Sequence, residues 1–166
     1  MTFRRAAGAI VASAALLTTA SSPAGAQRQR IPVAPEVRLD VLGGRPTSVQ
    51  GAAGVVVPAG YYVRIGVLAG AGATVEPDGP SGAAGRVDVL ARFLVDPFRQ
   101  SRWGVSAGAG VSLRADPGER VRPQLLAVLD VEGRRARAGF TPSVQIGLGG
   151  GVRGGLGLRW SDRRAR

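Results

Sequence analysis

Residues 102–114 read RWGVSAGAGVSLR, and their alternation decides the fold. Trp103, Val105, Ala107, Ala109, Val111 and Leu113 take one parity; Gly104, Ser106, Gly108, Gly110 and Ser112 take the other. A strict period of two puts the two sets on opposite faces of one strand. The polar face is unusual. Exposed strand faces ordinarily favour residues of good β propensity and avoid glycine, whereas this face is glycine and serine running up to an arginine.

Seven further runs repeat the pattern between Gly, Pro and Asp turns. In 36–42, Val37, Leu39 and Val41 oppose Arg38 and Asp40. In 47–57 the Val55-Val56-Val57 triplet fits either face. The third run starts at Tyr61 and sets Val63, Ile65, Val67 and Ala69 against Tyr62, Arg64, Gly66, Leu68 and Gly70. The fourth sets Val87, Val89, Ala91, Phe93 and Val95 against Arg86, Asp88, Leu90, Arg92, Leu94 and Asp96. The sixth sets Leu125, Ala127, Leu129 and Val131 against Arg122, Gln124, Asp130 and Glu132. Phe140, Val144, Ile146 and Leu148 define the seventh run. Val152, Leu156, Leu158 and Trp160 define the eighth, opposite Arg153, Gly155, Gly157 and Arg159. No stretch holds the i, i+3, i+4, i+7 apolar spacing of a helix for long.

Eight runs are an even number, and from the third onward each approaches the roughly 9–11 residues that a tilted strand needs to cross a bilayer. No charge falls on their apolar parity, where an arginine near the lipid midplane would cost about 2–4 kcal/mol. The expected fold is all-β, an eight-stranded antiparallel up-and-down transmembrane barrel. In such a narrow barrel small residues make room for a few long charged ones. These must pair, because a buried lone charge is costly. The charges expected to face one another inside are Arg38, Asp40, Arg64, Arg86, Asp88, Arg92, Arg114, Asp130, Glu132, Arg153 and Arg159. With the N-terminus on the periplasmic side, Tyr61, Phe93, Trp103, Phe140 and Trp160 fall at one rim on the apolar parity. That is the arrangement of an interfacial aromatic girdle. The competing reading is a secreted soluble β-sandwich or lipocalin-like binding protein, whose apolar faces would turn inward.

The chain ends divide the 166 residues further. Residues 1–26 have the form of a cleaved signal peptide. Arg4 and Arg5 precede an apolar run, and Ala24-Gly25-Ala26 offers a small-x-small cleavage site. An extended leader at 27–35 holds Pro32 and Pro35, the barrel is expected at 36–160, and 161–166 form a basic tail. An exported transmembrane barrel is expected in the outer membrane of a Gram-negative-type bacterium.

The net charge is +11, carried entirely by arginine on the basic side. An exported chain with its charges spread through strands and turns is not expected to meet nucleic acid. Its arginine-rich rims suit phosphates of outer-membrane lipid, lipopolysaccharide included. There is no cysteine and no histidine, which removes disulfides, thiolate metal sites and most acid–base and nucleophile-activating arrangements. No cofactor is expected, and a monomer is. The formal G-x-G-x-x-G at 149–154 lacks a following helix and reads as a hairpin turn. A carboxylate pair could serve a membrane-embedded hydrolase, and Asp130 with Glu132 or Asp88 with Asp96 share a polar face. Neighbouring arginines favour structural ion pairs instead, so no enzyme is expected. Eight strands also leave little open lumen, which argues against a porin-like conducting role.

The end of the eighth run, Arg153-Gly154-Gly155-Leu156-Gly157-Leu158-Arg159-Trp160, resembles the C-terminal signal of bacterial outer-membrane proteins. Gly155, Leu158 and Trp160 are the matching positions. The resemblance implies recognition by the barrel-assembly machinery. The plan of residues 36–160 is similar to that of small outer-membrane barrels of the OmpA transmembrane domain and OmpX type. It implies their fold and a structural or envelope-interaction role.

Overall fold

The structure, a computed structural model, describes residues 33–44, 46–75, 82–98, 100–136 and 138–160. The signal segment, most of the leader and the basic tail lie outside the described residues. Eight strands follow in order: β1 Ala34–Gly43, β2 Thr47–Pro58, β3 Val63–Val75, β4 Ala83–Leu94, β5 Gly104–Ala115, β6 Arg122–Glu132, β7 Phe140–Leu148 and β8 Val152–Trp160. Each pairs antiparallel with the next, and β8 pairs with β1 from Glu36↔Arg159 to Gly43↔Val152. The sheet therefore closes into a barrel and leaves no edge strand with unpaired backbone groups.

Burial alternates with period two along β1, where even positions from Glu36 to Leu42 are buried and odd ones exposed. The parity of the chain thus becomes inside and outside. Val37, Leu39, Val67, Val89, Val111, Leu129, Ile146 and Leu156 are exposed on the outer wall. The Val55-Val56-Val57 ambiguity resolves with Val56 buried inside and Val55 exposed. This polarity is opposite to that of a sandwich or a lipocalin-like cup, and the soluble alternative does not fit it.

The interior is filled by matching large side chains to glycines on neighbouring strands. Leu90 faces Gly66 on β3 and Gly110 on β5, and Leu126 faces the same Gly110. Arg38 and Asp40 face Gly157 and Gly155. A side chain at Gly108 would meet Val128 Cγ2 at 3.0 Å and Arg92 Cγ at 3.1 Å. One at Gly155 would collide with the Asp40 carboxylate. The glycine-rich parity is therefore a space requirement. Leu90, Leu126 and Val128 also form a buried apolar cluster inside the barrel, so the inner face is not uniformly polar.

Several boundaries differ slightly from the periodicity. β1 begins at Ala34, taking Pro35 into the ladder opposite Val55. β3 and β5 begin at Val63 and Gly104, so Tyr61, Tyr62 and Trp103 precede their strands. Pro123 and Pro142 sit in the first three residues of β6 and β7, where a missing N–H is tolerated. The turn between β7 and β8 uses Gly150 at φ 67° and Gly151 at φ 148°. The formal dinucleotide fingerprint is thus a hairpin.

Candidate functional site

Two features stand out from the scaffold: the charged interior, and the rim at which the strand ends near residues 34, 63, 94, 104, 132, 140 and 160 gather. Inward parity on five strands brings the charges together. Asp40 on β1 accepts from Arg86 Nη2 on β4 and, at 3.1 Å, from Arg153 Nη2 on β8. Arg86 Nε and Arg153 Nη1 both reach Asp88 Oδ2, at 3.1 and 2.8 Å. Ser112 donates to Asp88 Oδ1 at 2.6 Å, and Gln50 accepts from Arg86 Nη1 at 2.9 Å. These groups form a closed four-charge ring with neutral polar support.

A second group centres on Glu36, which takes a bidentate pair of bonds from Arg92 at 2.8 and 2.9 Å. Arg38 binds Glu36 at 3.2 Å and lies 3.7 Å from Asp40 and 3.9 Å from Asp130, linking the two groups. Arg92 Nε stands 3.8 Å from Asp130, and Gln145 donates to that carboxylate at 3.5 Å. Nearer the chain-end rim, Glu132 accepts from Arg64 at 2.6 Å and Arg159 at 2.7 Å. Bidentate and multiply bonded guanidinium–carboxylate pairs are the geometry in which buried charges are tolerable.

All eleven charges named from the sequence are engaged. Ten belong to these groups, and Arg114 instead binds Asp116 at 2.8 Å and the Pro46 carbonyl at 3.0 Å. Arg64 is partly exposed and the other ten are buried. Glu36 was missed, although it shares the even parity of Arg38 and Asp40. Its position at the start of the run hid a residue that is 2 % exposed.

The two carboxylate pairs sit in different settings. Asp130 and Glu132 are separately tied to arginines. Asp96 lies beyond the end of β4, where it accepts from Ser101 N at 2.8 Å and Ser101 Oγ at 3.0 Å, apart from the ring that holds Asp88. Among the described residues no cluster of acids has the makings of a metal site.

At the rim, Phe140 and Trp160 face each other across β7 and β8, and Phe93 pairs with Val63. Tyr61, Phe93, Trp103 and Trp160 are exposed, and Phe140 is half-buried. Tyr62 does not follow the inner parity assigned to it. It precedes β3 and stacks on Phe93, with ring centroids 5.8 Å apart and planes at 9°. Phe98, in the β4–β5 connection, meets Tyr61 at 6.3 Å and Tyr62 edge-on at 6.5 Å. On β8, Leu158 and Trp160 point outward while Gly155 lies beneath Asp40.

A closed antiparallel eight-stranded cylinder, apolar without and ion-paired within, is the class defined by this geometry. Comparison with solved structures agrees. The N-terminal β-barrel domain of Pseudomonas aeruginosa OprF is similar with a TM-score of 0.54 at 9 % identity, covering 78 % of this chain and 97 % of that one. Neisserial surface protein A is similar with a TM-score of 0.55 at 13 % identity, covering 78 % and 96 %. At such identities the likeness is one of fold. No protein-family model and no curated protein sequence matches the chain.

Proposed function

We propose that the protein is an exported barrel of the Gram-negative outer membrane, with a structural or envelope-interaction role and no catalytic one. The observation that carries this reading is the inverted polarity. Valine and leucine side chains cover the outside while nearly every strand charge is turned inward and paired. Water would not favour that distribution; hydrocarbon does. The likeness in fold to the OprF barrel domain and to a protein named as a Neisserial surface protein supports the reading.

In this reading the N-terminal 26 residues direct export, and Gly155, Leu158 and Trp160 serve recognition by the barrel-assembly machinery. The aromatic rim lies at the membrane–water interface. The ion-paired groups and the Leu90, Leu126 and Val128 cluster inside the barrel support a plugged lumen in a monomeric barrel. Partners are membrane lipids, lipopolysaccharide among them, and not nucleic acid.

Cell fractionation tests the reading. The protein is expected in the outer-membrane fraction, extracted only by detergent, with a folded gel band that shifts on boiling. Release into a detergent-free periplasmic extract as a soluble monomer would refute it.

A further inference from the structure

The outer wall is not smooth. The β6–β7 ladder has six residue pairs, from Ala127↔Leu148 to Glu132↔Ser143, and Gly133 N–H extends it to the Pro142 carbonyl at 2.8 Å. Toward the chain-end rim, the paired outer faces of β6, β7, β8 and β1 carry an apolar groove of about 600 Å³, whose lining includes Val37, Leu39, Val131, Val144, Leu156 and Trp103. Immediately beyond it, at the same rim, is a polar cleft of about 290 Å³ formed by Gln100, Ser101, Arg102, Arg134 and Arg135.

The two cavities are joined by sequence. Ser101 and Arg102 line the cleft and Trp103 the groove; Gly133 lines the groove and Arg134 and Arg135 the cleft. Two connections, β4–β5 and β6–β7, thus each pass from guanidinium to apolar wall within one or two residues. The three arginines are exposed.

We propose that this composite feature is a binding site for one anionic glycerophospholipid, with an acyl chain in the groove and the phosphodiester in the arginine cleft. The inference rests on the membrane reading given above and adds a site and a ligand class to it. Charge complementarity selects the occupant. Three guanidinium groups match a phosphate in fork geometry, and an almost wholly apolar groove matches a chain rather than a sugar or peptide. Trp103 stands at the boundary, where an amphipathic ring marks the headgroup level.

The chain has two tryptophans, Trp103 and Trp160, so Trp103 can be isolated as a reporter by Trp160→Phe. The W160F protein is folded into phosphatidylcholine vesicles that contain phosphatidylglycerol or further phosphatidylcholine with brominated chains. Trp103 quenching is expected to show about a fivefold or greater preference for phosphatidylglycerol, the scale set by arginines beside an anionic headgroup. The preference should fall to parity in R102Q/R134Q/R135Q. In Trp103→Phe, with Trp160 as sole reporter, little preference is expected.

Equal quenching of Trp103 by both lipids, in protein whose gel band still shifts on boiling, would overturn the site and leave the membrane barrel standing. An equal preference at Trp160 would overturn it too, by showing general attraction to the rim. So would relief of the preference by inorganic phosphate at constant ionic strength, which would make the cleft a free-anion site. Absence of quenching by either lipid would refute the membrane reading itself, and the site with it.

Discussion

Replacing Asp40 by Asn is expected to destabilise the folded barrel by about 3–5 kcal/mol, the range for breaking a buried ion pair from one side. Asp40 is fully buried and receives Arg86 and Arg153 directly, with Arg38 Nε at 3.7 Å. Asparagine keeps the shape but withdraws the charge, so Arg86 and Arg153 keep only Asp88 as a bonded carboxylate. The matching control is Glu119→Gln. Its pair with Arg122 at 3.4 Å is well exposed, and its loss should cost about 0–1 kcal/mol. Urea unfolding in lipid vesicles, read by the boiling-sensitive gel band, measures both. Equal midpoints for the two variants would mean that the interior ion pairs do not hold the barrel together.

Ala109→Arg is expected to be nearly as damaging, for a different reason. Ala109 is exposed midway along β5, between Ala91 on β4 and Ala127 on β6. An exposed small residue in water tolerates arginine within about 0.5 kcal/mol. The same change at the midplane of a bilayer costs about 2–4 kcal/mol. Ala109→Leu should then be neutral or stabilising, because it adds apolar surface where the surroundings are apolar. The sign of the difference between the two variants separates a lipid-facing wall from a solvated one. Folding equilibria in phospholipid vesicles give it.

Much of this was legible in the sequence because a strand's period is two and the barrel has only two faces. The parity of 102–114 alone separates the inward Ser106 and Ser112 from the outward Ala107 and Val111, as found. Parity fails where the backbone stops alternating. Tyr62 lies before β3, so counting back from Arg64 assigned it to the wrong face; the Phe93 ring decides its position. Partner choice across the lumen was not legible either. That Arg153 meets Asp40, 113 residues away, follows from β8 closing on β1, and no local pattern encodes that closure. Asp88 and Asp96 show the same limit. Eight residues of even spacing suggest a shared face, but β4 ends at Leu94 and Asp96 turns away into the β4–β5 connection.

The apolar members of the inner parity show a further gap. Leu68, Leu90 and Leu126 lie inside, where composition suggested a polar lumen. Their places are set by the glycines opposite them, such as Gly54 for Leu68. Size complementarity between strands distant in sequence is a property of the register, and the register follows only once the hairpins are in place.

The central claim is that the outer wall faces hydrocarbon. Because the chain has no cysteine, single cysteines at Val67, Val89, Ala109, Ala127 and Ile146 can carry nitroxide labels around that wall without background. In phospholipid vesicles all five labels should collide freely with dissolved oxygen and hardly at all with a water-soluble nickel chelate, while a label at Glu119 shows the reverse. Labels on the wall that meet the nickel chelate as readily as the one at Glu119 would contradict the account.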